Sequence, residues 1–130
     1  MPTYEAGGYA PPAPVARVAL RDPRTGATAT DVPLLIDTGA DVTLLPRGVL
    51  SRLGMTALPE EHYEVMGFDG HRSFASVVVL EMRLLQRVFR GRYLLLDQDH
   101  GIMGRDILNH LVLLLDGPHQ EWSAPTAPVR

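Results

Sequence analysis

Leu34-Leu35-Ile36-Asp37-Thr38-Gly39-Ala40-Asp41 is the stretch on which the fold depends. Three aliphatic residues run as a buried strand would, and the run ends on a carboxylate. A carboxylate at the end of a buried strand is costly unless it is hydrogen-bonded or put to use. Thr38 offers a hydroxyl that can lock a tight turn, and Gly39 lets backbone approach closely. Asp-Thr-Gly by itself is common in ordinary turns, so its meaning depends on a second element. Gly101-Ile102-Met103-Gly104-Arg105-Asp106-Ile107-Leu108 supplies one far downstream: two apolar residues, then Gly-Arg at the entry of a short helix.

Around these two motifs the chain patterns mostly as short strands. Residues 15–21 alternate as a strand does, and Asp22-Pro23-Arg24-Thr25-Gly26 is strong turn chemistry. Residues 27–36 are then the return strand of a hairpin, with Pro33 predicting an edge or a bulge near that point. Residues 46–53 predict a short helix, Pro46 in its first turn and Gly54 just past its end. Residues 63–68 and 71–80 predict two strands joined at Asp69-Gly70, a favoured two-residue hairpin turn. A strand over 87–96, one or two helical turns over 105–110 and a buried strand over 111–115 complete the series. Many short strands with one or two short helices predict a mostly β, single-domain, closed barrel-like fold.

Composition narrows the chemistry. The 130 residues suit one domain, read as a Pro/Gly/Ala-rich arm over 1–14, a folded body over 15–122 and a tail over 123–130. Without cysteine there is no disulfide framework, thiol nucleophile or Cys-ligated zinc site. All 12 basic residues are Arg, which removes P-loop and Schiff-base lysine chemistry. A net charge of −3 and the lack of stacking aromatics among Arg83, Arg87, Arg90 and Arg92 argue against nucleic acid as a partner. No apolar run reaches membrane-spanning length, and residues 1–14 lack the basic start and apolar core of a secretory signal. No membrane partner is therefore expected, and the expected compartment is the cytoplasm. Ser51 and Ser73 lack a Gly-x-Ser-x-Gly context. Asp97-Gln98-Asp99-His100 lacks the ligand spacing of a calcium loop and reads as a turn, so no metal or cofactor is expected.

The ordered pair of motifs, with a hairpin between them, resembles the retroviral-type aspartic proteases (retropepsins) and their single-domain bacterial and eukaryotic relatives. Residues 34–41 carry the first element of that pattern and residues 102–105 the last, with residues 63–77 where a flap should stand. The flap region departs from the retroviral glycine-rich tip: Met66-Gly67-Phe68-Asp69-Gly70-His71 is bulkier and more polar. Asp106 stands where those enzymes often carry Asn, and the tails do not match the strands that build the retroviral dimer sheet.

The resemblance implies an aspartic endopeptidase with Asp37, Thr38 and Gly39 as its catalytic turn, Thr38 bridging two copies. Its chemistry needs two carboxylates sharing one proton around a water. The chain offers one Asp-Thr-Gly, because Asp97 and Asp116 end similar apolar runs without the following turn. The second carboxylate then comes from a second copy, making a homodimer with a peptide or protein substrate. Ala40, Asp41, Val42, Met66, Gly67, Phe68, Asp69, Gly70, His71 and Ile102 are the expected substrate-binding residues. The apolar ones predict large apolar side chains on both sides of the cut. Ala40 cannot donate a side-chain hydrogen bond to the dyad, which predicts an optimum less acidic than in pepsin-like enzymes. Asp41 and Arg105 are expected to form an ion pair joining the two motifs. Two other functions stay open: a non-catalytic dimeric peptide-binding module of the same fold, and a structural or regulatory partner docking through its Pro-rich tails. The intact Asp37-Thr38-Gly39 argues against the first.

Overall fold

A computed structural model describes residues 2–56, 58–66 and 72–125. Nine strands and two short helices follow in the order β1 (Val15–Arg21), β2 (Thr28–Ile36), β3 (Leu44–Pro46), α1 (Val49–Leu53), β4 (Leu58–Met66), β5 (Arg72–Leu84), β6 (Arg87–Leu96), β7 (Gly101–Met103), α2 (Arg105–Leu108), β8 (Leu114–Asp116) and β9 (Glu121–Ser123). The large sheet runs β1-β2-β7-β3-β6-β5-β4, and a further β1–β5 pairing closes its first six strands into a barrel. Closure leaves those six strands without a free edge, as the sequence pattern predicted.

Alternation fills the barrel. Ala16, Val18 and Leu20 of β1 meet Val32 and Leu34 of β2, Leu80 and Met82 of β5, and Met103 of β7 in one core. β5 and β6 pair without interruption from Val77↔Leu94 to Leu84↔Arg87. Among the described residues β4 pairs with β5 alone, at the edge of the sheet outside the closed ring. Its expected tip, Gly67, Phe68, Asp69, Gly70 and His71, lies outside the described residues; Met66 is placed by backbone pairing opposite Arg72.

The irregularity expected near Pro33 is present, and two other local expectations are corrected. That irregularity falls between the pairs Val18↔Val32 and Leu20↔Ala29, where Asp31 takes φ +60. Pro33 itself pairs with Arg17, and β7 begins opposite Leu34, so no neighbour on that side asks Pro33 for an N–H. Pro46 ends a strand instead of opening a helix, because residues 44–46 pair in parallel with residues 94–96; α1 starts only at Val49. Gly54 does close α1, in the left-handed region, with its N–H on the carbonyls of Leu50 and Ser51. Residues 111–115 are not a buried strand: Val112, Leu114 and Leu115 are exposed, and only 114–116 are extended in a pair, with β9. Leu111 and Leu113 pack against the main core, and among the described residues Val112, Leu114 and Leu115 stay uncovered.

The N-terminal segment is docked. The N–H of Tyr4 donates to Gln120 O at 2.7 Å and that of Trp122 to Pro2 O at 3.0 Å, which lays residues 2–4 along β9. Tyr4 packs against the main core.

Candidate active site

β2 delivers Asp37 to the mouth of the barrel, and the two motifs meet there through backbone first. β2 and β7 run parallel, with Leu34↔Gly101, Leu35↔Ile102 and Ile36↔Met103 in register. The ladder continues one step into the turn, where the N–H of Asp37 donates to Met103 O at 3.1 Å. On the other side the N–H of Ile36 donates to Pro14 O at 3.0 Å. Asp37 therefore leaves a strand end clamped on both flanks.

The turn itself is held locally. Gly39 N–H donates to Asp37 Oδ1 at 2.9 Å, and Ala40 N–H to Asp37 O at 3.2 Å. One carboxylate oxygen is thus oriented by backbone while the half-buried side chain keeps its other oxygen available. A Cβ on residue 39 would stand 3.1 Å from Asp37 Oδ1, so glycine there keeps the carboxylate uncrowded. Thr38 and Gly39 are exposed.

The second motif braces this turn from behind. Arg105 N–H donates to Ala40 O at 2.8 Å, and its guanidinium Nη1 donates to Thr38 O at 2.7 Å. The expected Asp41–Arg105 ion pair does not form. Asp41 is exposed, and the arginine, anchored by its own N–H at Ala40, reaches back to a carbonyl of the turn.

The carboxylate that joins the motifs is Asp106, a residue whose structural role the sequence did not reveal. Its Oδ1 accepts from Thr43 Oγ1 at 2.6 Å and from Ile107 N–H at 2.9 Å, and its Oδ2 from Thr43 N–H at 3.1 Å. Thr43 Oγ1 in turn accepts from Gly104 N–H at 3.0 Å. Thr43 is 1% exposed, and this network satisfies its hydroxyl fully. Gly104 makes the approach possible, since a Cβ there would lie 2.4 Å from Val42 O. The available signal was a Thr between two aliphatics just after the first motif and an acid in the first turn of the helix of the second. Burial, with a smaller push from the Asp106 charge, raises the nearby Tyr93 phenol to about 12, and its hydroxyl donates to Phe89 O at 2.7 Å.

The cleft side of the site follows from register. Side chains alternate along a strand and paired neighbours share a face, so Leu35, Asp37 and Ile102 look the same way. Val42 and Ile102 rest with Leu96 on a small cluster of Leu44, Val77 and Leu94. Val77 lies in β5, so the β4–β5 pair starts from the cluster that carries two of the expected cleft residues. The structure thereby gathers Asp37, Thr38, Gly39, Ala40, Asp41, Val42, Ile102 and Arg105 in one neighbourhood. Leu35 belongs with them and was not singled out in the sequence.

The family model described as aspartyl protease matches residues 25–107, a span that contains both motifs and the hairpin between them. The chain belongs to the aspartyl protease family. Among solved structures this aspartyl protease is similar to the retroviral "EIAV protease complexed with the inhibitor HBY-793". The two are 26% identical, with 75% of this chain and 86% of that one covered and a TM-score of 0.57. No curated protein matches the chain. The retropepsin-like family and fold implied by residues 34–41 and 102–105 therefore hold.

Proposed function

We propose that this chain is an aspartic endopeptidase that hydrolyses peptide bonds with a water held between two Asp37 carboxylates, one from each copy of a homodimer. The observation that carries the proposal is a braced Asp-Thr-Gly turn whose Thr38 and Gly39 are exposed, as half of a two-fold site would be. Two like charges in contact cannot both ionise readily, so the pair holds one proton and titrates in two steps. The ionised Asp37 takes a proton from the water as its oxygen attacks the scissile carbonyl carbon. The protonated Asp37 of the second copy donates to the carbonyl oxygen as negative charge develops there. Collapse of the tetrahedral intermediate breaks the C–N bond, and the proton taken from water passes to the leaving amine. Gly39 N–H keeps one carboxylate oxygen fixed throughout, so the geometry is set before substrate binds.

The second copy has a surface to meet. Trp122 Nε1 donates to Val15 O at 3.3 Å, beside Pro14, whose carbonyl holds Ile36 next to the catalytic Asp37. The β8–β9 ribbon is therefore tied close to the active turn and presents Leu114 and Leu115, 56% and 48% exposed, with Val112, 52% exposed, just ahead of it. Exposed aliphatics beside an incomplete site fit burial against a copy of the same chain.

Substrate is an extended peptide lying between the hairpin and the active turn. Val42 and Ile102, with Met66 and Phe68 from the flap sequence, favour large apolar residues on both sides of the cut. Digestion of a peptide library by the wild type beside Asp37→Asn tests the reading. The wild type is expected to cleave, and Asp37→Asn to lose turnover while its circular dichroism and sedimentation stay unchanged. Cleavage by Asp37→Asn at near wild-type rate would defeat the mechanism. A wild type that binds peptides and cleaves none would establish the non-catalytic module instead.

A further inference from the structure

The N-terminal segment folds onto the sheet face that carries Asp37. Glu5 and Ala13 exchange N–H···O bonds of 2.8 and 3.0 Å, so residues 5–13 form a hairpin. The Glu5 carboxylate clasps Arg17 through Nε at 3.0 Å and Nη2 at 2.6 Å. At the other end Tyr9 seats its ring on His100, the ring centres 5.0 Å apart. Arg17 is paired with Pro33, and residue 33 precedes Leu34↔Gly101, which places it level with His100. Alternation then puts Arg17, Pro33 and His100 on the face of Leu35, Ile102 and Asp37.

We infer that the hairpin over residues 5–13, through the tilted contact of Tyr9 with His100, is a wall of the substrate cleft and selects an apolar or aromatic substrate side chain outside the pair flanking the cut. The inference rests on the peptidase reading above and adds a specificity element to it. Its metric is simple. His100, at the bend that leads into β7, lies two residues before Ile102 and so at most about 7 Å from it, and side chains on one side of an extended peptide repeat at that same spacing. A peptide laid along β7 with one side chain at Ile102 brings its next same-side residue level with the Tyr9–His100 rings. Those rings, inclined 59° to each other, offer an aromatic wall there. Beside them Arg17 pairs with Glu5 at 2.6 Å and with Asp31 at 3.5 Å.

The test compares wild type, Tyr9→Ala, Tyr9→Phe and His100→Ala on two peptide sets. One set has a fixed core and a randomised outer position; the other stops short of that position. Tyr9→Ala and His100→Ala are expected to lose about tenfold in kcat/KM on long peptides with an apolar outer residue, the scale of a lost apolar pocket contact. The loss should lie in KM, with kcat and short-peptide cleavage kept. Tyr9→Phe keeps the ring and drops only a buried hydroxyl that has no hydrogen-bond partner, so it should match wild type. An unchanged outer preference in Tyr9→Ala and His100→Ala overturns the inference, and so does an equal loss on short peptides, which marks a structural role. If Tyr9→Ala fails to fold, His100→Ala decides by itself. A wild type that cleaves nothing defeats the peptidase reading and this inference together, whereas a wild type that cleaves with an unmoved profile removes only the inference.

Discussion

Asp106 is the residue on which the two motifs lock. Its two oxygens accept three hydrogen bonds, from Thr43 Oγ1, Thr43 N–H and Ile107 N–H. An asparagine there keeps one acceptor oxygen and turns an NH2 toward a donor. Either Thr43 N–H or the pair at Oδ1 then faces a donor with no acceptor, inside a region where Thr43 is fully enclosed. Leaving one buried donor unsatisfied costs about 1–3 kcal/mol. Asp106→Asn is therefore expected to lower stability by about that amount in urea unfolding. Thr43→Ser, which keeps both donors, should stay near wild type. Equal midpoints for Asp106→Asn and wild type would show that the network contributes nothing net. Arg105 works differently: its bond to Thr38 O is at an exposed site, and it positions the turn without burying charge.

At the scale of elements, the site depends on β7 fitting between β2 and β3. β7 has three residues, too few to hold a place by its own hydrogen bonds, and it sits where the chain changes from parallel to antiparallel pairing. Gly101 makes the fit possible. A Cβ on it would lie 2.2 Å from Leu44 O and 2.6 Å from Leu34 Cδ2, one a backbone atom and the other in the packed core. Neither can yield cheaply, so Gly101→Ala must spread β3 from β7. The expected loss is roughly 3 kcal/mol, the upper end for overpacking a core, with a larger fall in activity because Asp37 hangs on Met103 O. A denaturant titration together with a cleavage assay reads both. Wild-type values in both would mean the strands part without cost.

For the whole molecule the deciding question is assembly. Under the proposed mechanism each chain contributes one carboxylate, Asp37, and exposed Leu114 and Leu115 lie on the ribbon tied beside it. Specific activity is expected to rise with protein concentration through the dimer dissociation constant. Leu114→Ser with Leu115→Ser removes exposed apolar area and leaves the barrel core intact. The double variant should therefore keep the melting temperature measured under monomeric conditions, sediment as monomer at higher concentration, and recover activity only when concentrated further. Activity independent of concentration, in a range where sedimentation finds monomer, would exclude the shared site.

The sequence by itself determined the barrel and the place of its Asp-Thr-Gly turn. Strands β1 and β6 begin and end where alternation and the turn residues Asp22–Gly26 predicted, because a period-two pattern bounded by turn chemistry is a local property. The adjacency of residues 34–41 and 102–105 was legible only as a resemblance, since no local rule brings distant segments together; parallel pairing in the folded chain does so. Tertiary structure alone decided the rest. Pro46 closes a strand because residues 94–96 lie beside it, a neighbour that helix-start rules do not know. Leu111 to Leu115 look like core by composition, and some are exposed because burial depends on what lies opposite. Arg105 passes over Asp41 for a carbonyl of the turn, and Asp106 takes up the link, because side-chain reach is set by where the helix is anchored. The arm over 1–14 carries no periodicity to announce that it docks. Its place comes from backbone groups of β9 and from Arg17 and His100, which become neighbours only once the barrel has closed.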